Sequence, residues 1–184
     1  MPCRPSWTNA VAAFATAVLA ACSTAPEVPH PPLPLAPSVD LAKFAGDWYV
    51  IANIPTAIEK GAHNAKESYT LTPDGAMDTV FSYNASSFDG PLRIYRSRGY
   101  ILSESNAVWG QQYLWPFKAD YRISYLASDY SQTIIAREKR DYVWILARTP
   151  TIADADYQRL VGLIAQQGYD PALIQRVPQQ EAAR

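Results

Sequence analysis

Eight short segments rich in aromatic and β-branched residues are the feature that most constrains how this chain can fold. Turn-favouring residues separate the segments, as in Pro73-Asp74-Gly75. Segments of this length and spacing predict antiparallel strands, each joined to the next by a turn. The predicted strands span residues 48–54, 66–72, 77–84, 92–103, 108–115, 121–127, 132–138 and 142–148.

The hydrophobic period changes after the eighth segment. Apolar side chains then follow the i, i+3, i+4, i+7 spacing of an amphipathic helix at Tyr157, Leu160, Val161 and Ile164. Thr151 together with Asp154 predicts where this helix begins, and Gly168 predicts where it ends. A helix that follows eight strands buries its apolar stripe against the outside of the sheet.

Eight antiparallel strands in one sheet favour closure, because closure removes the exposed edges. The pattern therefore predicts an all-β fold, an eight-stranded antiparallel up-and-down β-barrel with a C-terminal α-helix packed outside. A barrel of this size encloses one small ligand. On the pattern alone, a β-sandwich also fits.

The N-terminal region predicts export and lipidation. Residues 10–21 form an Ala-rich apolar run that is too short to span a membrane and is typical of a signal peptide, predicted here over residues 1–21. Leu19-Ala20-Ala21-Cys22 resembles the lipobox of bacterial lipoproteins, which implies a lipidated Cys22. The alternative is an ordinary cleavage site beside an incidental Cys. Ser23 after this Cys is typical of sorting to the outer membrane.

Three further boundaries follow from this assignment. Residues 22–38 combine the lipidated Cys with a Pro-rich tether, predicted as an extended spacer. A Pro-rich motif that binds a partner is the alternative for this stretch. The folded domain is predicted over residues 39–178, with a tail over residues 179–184.

Composition argues against several kinds of function. The net charge of −1 gives no electrostatic case for a nucleic-acid partner. The two histidines, His30 and His63, fall in the predicted tether and in a loop, and the predicted domain has no Cys. The Gly-rich and Ser-centred catalytic motifs are absent from the sequence. We therefore expect a protein that is not an enzyme, with no catalytic residues, no metal and no cofactor.

Three motifs resemble the lipocalin family. Gly46-Asp47-Trp48 resembles its G-x-W motif, Ser128-Asp129-Tyr130 resembles its T-D-Y motif, and Arg148 ends the last predicted strand, where lipocalins keep a basic residue. The stretches IANIP, YTLTPDG and RDYVWILARTP are similar to bacterial outer-membrane lipocalins related to apolipoprotein D. The resemblance covers about residues 39–178. It implies a lipid-anchored barrel at the bacterial outer membrane, on its periplasmic face.

The resemblance also implies a structural floor for the barrel. Its predicted members are Gly46, Trp48, Asp129, Tyr130 and Arg148. A guanidinium over an indole face is stabilising, so Arg148 is expected to pack on Trp48.

Strand alternation from this floor predicts the pocket. The expected ligand-binding residues are Ile54, Phe81, Tyr83, Tyr121, Ile123, Tyr125, Tyr142 and Trp144. The alternative for any one of them is packing under the helix. Aromatic rings with hydroxyls suit an amphipathic ligand, a lysophospholipid or a fatty acid. A phosphate headgroup has candidate partners in Arg93, Arg96, Arg98 and Arg122, although charges on barrel strands are commonly just solvated.

The resulting hypothesis is a membrane-anchored binder, store or carrier of a hydrophobic ligand in cell-envelope maintenance, as a monomer or weak homodimer. One alternative is a structural envelope lipoprotein without a ligand. A less favoured alternative is an enzyme on the same fold.

Overall fold

The computed structural model describes residues 30–180. Eight antiparallel strands each pair with the next, and β1 pairs with both β2 and β8, which closes the sheet into a barrel. The predicted fold is therefore confirmed. The elements are α1 (Leu41–Phe44), β1 (Gly46–Ile54), β2 (Ala62–Leu71), β3 (Met77–Ala85), β4 (Leu92–Ile101), β5 (Val108–Leu114), β6 (Phe117–Leu126), β7 (Gln132–Ala136), β8 (Val143–Ala147), α2 (Asp154–Gln166) and β9 (Gln175–Arg176).

The up-and-down connectivity gives the barrel two different ends. The loops after β1, β3, β5 and β7 lie at one end, which we call the mouth. The loops after β2, β4 and β6 lie at the other end, together with α1, and we call this the closed end. The predicted strand limits differ from the observed ones mainly in β2 and β6, which extend about four residues further toward the mouth.

Helix α2 packs outside the barrel, as predicted. Its buried Leu160 and Ile164 join a cluster with Ile134 and Ile145 on the outer face of β7 and β8. The predicted start signal was wrong, because the N-cap is Ala153 and no side chain caps the helix. Gly168 follows the helix with a φ of +92°, a left-handed conformation that suits the predicted stop.

Two β-bulges reverse the alternation on which the pocket prediction depended. The β1–β8 register shifts between Val50 and Ala52, so Ile54 packs in the cluster under α2. The β6–β7 register shifts between Ile123 and Tyr125, and Tyr125 also packs under α2. An extra residue in one strand moves every later side chain to the opposite face. The prediction that Ile54 and Tyr125 face the interior was therefore wrong.

The described part of the predicted spacer lies against the barrel. Arg140, in the loop after β7, donates a hydrogen bond to the carbonyl of Pro31, and Leu33 is buried under α2. The segment ends at the closed end, where the amide of Val39 donates to the carbonyl of Ser105 at 2.9 Å. Residues 30–39 therefore run from the mouth to the closed end along the outside of the barrel. Cys22 and the predicted signal peptide lie outside the described residues.

The C-terminal segment completes the wall between β1 and β2. Strand β2 pairs with β1 only over Gly46–Tyr49, and β9 occupies the edge of β1 nearer the mouth. Beyond β9, the Gln179 amide donates to the carbonyls of Val50 and Ala65, at 2.8 and 2.9 Å. The predicted tail therefore begins with residues that bridge two strands. No helix of residues 30–180 is long and apolar enough to cross a membrane.

Candidate functional site

An aromatic plug fills the closed end of the barrel. Phe44 of α1 is fully buried, and its ring centroid lies 5.0 Å from Trp48, 5.3 Å from Tyr69 and 5.4 Å from Trp109. Edge and tilted contacts at these distances favour aromatic packing. The Trp48 indole also donates to the Phe44 carbonyl at 2.8 Å. This cluster leaves no open passage through the closed end of the barrel.

Arg148 packs against the plug from outside the barrel and stabilises it. Its guanidinium carbon lies 3.9 Å from the Trp48 ring centroid. Its Nη2 atom donates to the carbonyls of Lys43, Phe44 and Ala45, at 2.7–3.0 Å, where α1 ends. A cation at a helix C-terminus satisfies carbonyls that have no partner within the helix. Burial lowers the pKa of Arg148 from its ordinary value.

The other predicted floor residues hold the turns around Arg148. Gly46 has a φ of +99°, and a Cβ there would lie 3.4 Å from Nη1 of Arg148. Asp129 accepts hydrogen bonds from the amide and hydroxyl of Ser131, and these bonds lower the pKa of its carboxyl. The hydroxyl of Tyr130 accepts from the amide of Asp40, the N-cap of α1. These contacts join the G-x-W and T-D-Y stretches at one place.

A cavity of about 390 Å³ lies above the plug and reaches the mouth. Most of its exposed lining is apolar. The residues that line it are Thr56, Ala57, Ile58, Glu59, Glu67, Phe81, Gln111, Tyr113, Ala119, Asp120, Tyr121, Arg137, Tyr142 and Trp144. Its volume falls at the lower end of the range usual for ligand sites, about 300–1,000 Å³.

The predicted pocket residues divide into three groups. Phe81, Tyr121, Tyr142 and Trp144 line the cavity. Tyr83 and Ile123 face the interior and belong to its core, but they do not line the cavity. Ile54 and Tyr125 lie outside the barrel wall for the reason given above.

Glu67 is the most unusual group in the cavity. It lies opposite Trp48 in the β1–β2 register, just above the plug, and only 9% of its surface is exposed. Burial, and then the nearby Glu59 carboxyl, raise its pKa from 4.5 to about 8. Within residues 30–180 no group donates a hydrogen bond to its carboxyl. Glu67 is therefore mainly neutral at pH 7, which reduces the cost of placing it beside an apolar ligand.

Glu59 ties the loop after β1 over part of the mouth. Its carboxylate accepts from the amide and hydroxyl of Thr56, at 2.8 and 2.6 Å. The same carboxylate accepts from the Trp144 indole at 2.7 Å, across the cavity lining. The Tyr83 hydroxyl donates to the carbonyl of Ile58 in this loop. Trp144 therefore both lines the cavity and holds the loop in place.

The four arginines considered for a headgroup differ in their surroundings. Arg98 pairs with Asp74 and Asp78, near the closed end. Arg122 pairs with Asp120 and Glu138, and these two carboxylates already balance its charge.

The remaining two, Arg93 and Arg96, lie exposed on opposite faces of β4. Of these, Arg93 shares a face with the interior residue Tyr95, two positions along the same strand, and lies near the mouth. Arg137, which had not been predicted, lines the cavity with an unpartnered Nε, while its Nη1 pairs with Asp141 at 3.2 Å. Arg93, which pairs with no carboxylate of the described residues, is therefore the cation best placed for an anionic headgroup.

Sequence reasoning missed the polar lining of the cavity. Glu67 alternates with the interior residues Ala65 and Tyr69, so the strand period could have placed it inside. Glu59 and Arg137 lie in loops, where no period exists to place them. Among the described residues, no group of three or more His, Cys, Asp or Glu side chains is arranged to hold a metal ion.

The amino-acid sequence is similar to those of known proteins. The model of the family described as a lipocalin-like domain matches residues 39–179. The outer membrane lipoprotein Blc of Escherichia coli K12 is 28% identical over 163 residues, which cover 86% of this chain and 89% of that protein. Temperature-induced lipocalin-1 of Arabidopsis thaliana is 28% identical over 153 residues, covering 78% and 81% respectively.

Solved structures share the fold at lower identity. The cockroach allergen Per a 4 superposes with a TM-score of 0.60 at 19% identity, covering 83% of this chain and 97% of that one. Insecticyanin of the tobacco hornworm, Manduca sexta, gives a TM-score of 0.60 at 17% identity, covering 83% and 87%. The family match spans the whole barrel and both motif stretches that meet at Arg148. The chain therefore belongs to the lipocalin-like family, whose members are generally non-enzymatic binding proteins.

Proposed function

We propose that this protein holds one single-chain amphipathic lipid, a lysophospholipid or a fatty acid, with its tail in the cavity. The observation that carries the proposal is the mainly apolar cavity of about 390 Å³, closed below by the plug and open at the mouth. Its modest volume favours one acyl chain over two. Phe81, Tyr121 and Trp144 supply the aromatic walls.

Charge favours a headgroup at the mouth. Arg137 lines the cavity, and Arg93 lies exposed near its rim. The Glu59 carboxylate also lines the cavity, and it disfavours an anionic group in the interior. A phosphate or carboxylate therefore faces outward while the acyl chain points toward the plug.

The proposed setting is the periplasmic face of a bacterial outer membrane, with an acylated Cys22 as anchor. The lipobox-like sequence before Cys22 supports the anchor. The names of the Escherichia coli and other bacterial relatives, outer membrane lipoproteins, support the location. Several acyl chains on one N-terminus give stable membrane attachment. Lipid carriage or storage in envelope maintenance is the role that this setting favours.

Native mass spectrometry with lipid extraction, on protein purified without detergent, tests the proposal. We expect a copurified single-chain lipid that a lysophospholipid displaces. Trp144→Ala should weaken lysophospholipid binding by about tenfold or more, because it removes a large apolar wall. Trp144→Phe, the matched control, keeps a ring and should retain most of the affinity.

Two results would contradict this function. If the protein has the mass of the ligand-free chain and takes up no added lipid, a structural lipoprotein would be favoured. Equal affinity in the wild-type protein and Trp144→Ala would remove Trp144 from the site. Thermal unfolding of each variant separates a lost contact from a lost fold.

A further inference from the structure

Exposed apolar side chains concentrate at the mouth. Eight of the eleven large apolar residues exposed within residues 30–180 lie at this end. We use the name rim patch for six of them: Ile58, Leu92, Ile94, Leu114, Trp115 and Phe117. Apart from Ile58, they lie on β4, on β6 and on β5 with the turn that follows it, and these three strands are adjacent in the sheet.

The tip of the β5–β6 hairpin is the most exposed part of the rim patch. Leu114, Trp115 and Phe117 are 72%, 80% and 73% exposed. Neighbouring apolar side chains of this size are rarely left in water without a partner. Trp in particular prefers the interface between lipid headgroups and acyl chains.

Cations accompany the rim patch. Lys60, Arg93 and Lys139 all lie exposed at the mouth. Within the described chain none of the three has a carboxylate within ion-pair distance. By contrast, Lys43, Lys66 and Arg98 in the other half of the barrel are all paired with Asp residues. An apolar patch among unpaired cations matches a surface of anionic phospholipids.

The described N-terminal segment begins at the mouth. His30 lies beside Gly168 at the end of α2, and Pro31 contacts Arg140 in the loop after β7, so the segment enters at the mouth. Cys22 precedes His30 by only eight residues, which span at most about 28 Å. An acyl group on Cys22 would therefore attach the barrel to the bilayer from its mouth end.

We propose that the rim patch docks on the phospholipid bilayer, so that the mouth of the barrel opens toward the membrane surface. The docked hairpin tip inserts Trp115 and Phe117 at the interface. A lipid then passes between bilayer and cavity with a short exposure to water. The orientation rests on the proposed anchor, whereas the affinity of the rim patch for lipid does not depend on it.

Binding to vesicles without the anchor tests the surface itself. The protein is a chain that starts at residue 22 and carries Cys22→Ser, because the described core lies wholly within residues 30–180. The vesicles contain phosphatidylethanolamine and phosphatidylglycerol, with acyl-brominated phospholipid as a quencher of Trp fluorescence. Trp115 is the reporter, since Trp48, Trp109 and Trp144 are buried or half-buried in the same described region.

We expect quenching and co-sedimentation with these vesicles. Trp115→Ser combined with Phe117→Ser should lower the partition coefficient by about tenfold or more. The matched control is Leu102→Ser, which changes a 61% exposed apolar residue at the closed end and should leave binding unchanged. Vesicles of phosphatidylcholine alone should bind more weakly.

The same quenching is then measured on the intact lipoprotein in vesicles. Quenching that the Trp115→Ser and Phe117→Ser changes abolish supports the docked orientation. No quenching in either form, or equal loss in Leu102→Ser, would overturn the proposal. A dimer that the two Ser changes dissolve, without vesicle binding, would make a second copy of the chain the occupant and overturn it as well.

Failure of the proposed function would look different. Lysophospholipid uptake by the Trp115→Ser and Phe117→Ser protein should be unchanged, because neither residue lines the cavity. Vesicle binding without any lipid uptake would remove the cavity function and leave the docking surface standing. Lipid uptake without vesicle binding would remove the docking surface and leave the cavity function standing.

Discussion

The carboxyl of Glu67 illustrates how a barrel interior controls the charge of one residue. It lies among buried groups above the plug, and no described donor compensates for its lost hydration. Desolvation is the main cause of its raised pKa, and the Glu59 carboxyl adds to it. A neutral Glu67 keeps the cavity compatible with an acyl chain at neutral pH.

Glu67→Gln should change how stability depends on pH. The folded protein holds the Glu67 proton up to about pH 8, whereas the unfolded chain releases it near its ordinary pKa of 4.5. The contribution of Glu67 is thus fully present below about pH 4.5 and is lost as the pH rises to about 8. The free energy of unfolding of the Gln variant minus that of the parent should therefore increase from pH 4.5 to pH 8.5, by about 3–5 kcal/mol.

Urea unfolding of both proteins between pH 4.5 and 9 checks this. Asp129→Asn is the control, because hydrogen bonds from Ser131 lower the pKa of Asp129. The contribution of Asp129 is lost only as the pH falls through its lowered pKa, so its effect should stay constant over this range. Parallel stability curves for Glu67→Gln and its parent would contradict a buried neutral Glu67.

At the scale of elements, the short helix α1 depends on Arg148 more than on its own residues. Four residues are too few for a helix that is stable by itself. Asp40 caps its start by accepting from the amides of Ala42 and Lys43, and Arg148, which follows the neighbouring strand β8, satisfies the carbonyls at its end. The buried side chain of Phe44 attaches the helix to the core.

Arg148→Ala should lower the free energy of unfolding by about 2–4 kcal/mol, because it removes the contact with Trp48 and several carbonyl partners. Arg148→Lys should recover only part of this, since an ammonium lacks the planar fork. Chemical denaturation measures both.

Arg159→Ala is the matched control. Arg159 also lies over an aromatic ring, that of Tyr125, and bonds to Asp156, but it is exposed on α2. Its loss should cost less than about 1 kcal/mol. Equal losses in Arg148→Ala and Arg159→Ala would contradict the locking role of Arg148.

At the scale of the whole molecule, the two ends of the barrel differ, because side chains fill the closed end and the mouth is open. The plug, the Arg148 contacts and the N-terminal segment all stabilise the closed end, whereas the cavity and the rim patch occupy the mouth. We therefore expect the proposed ligand binding and membrane contact in the half that contributes least to the aromatic core.

Because only the folded barrel has a cavity, a bound lipid should raise Tm. A lysophospholipid at 100 times its Kd stabilises the folded state by about 2.7 kcal/mol, which corresponds to a rise of about 5–10 °C for a domain of this size. Scanning calorimetry below the critical micelle concentration measures the shift. Trp144→Ala should show a smaller rise at equal lipid concentration, and an equal rise in both would argue for binding elsewhere.

The amino-acid sequence by itself determined the features that are local or periodic. Turn residues between aromatic segments predicted eight strands, and the edge argument then predicted their closure. The spacing after β8 predicted α2, although not its first residue. The motif residues Trp48 and Arg148 were assigned to one floor, and in the structure they are in contact.

Only the tertiary structure decided what depends on partners far along the chain. The bulges that turn Ile54 and Tyr125 outward arise from pairing with β8 and β7, and a strand period read along one segment carries no sign of them. The same holds for residues 30–39 and for Gln179, whose partners are more than 60 residues away. The raised pKa of Glu67 likewise exists only once the barrel closes, because desolvation comes from surrounding strands that its own segment cannot specify.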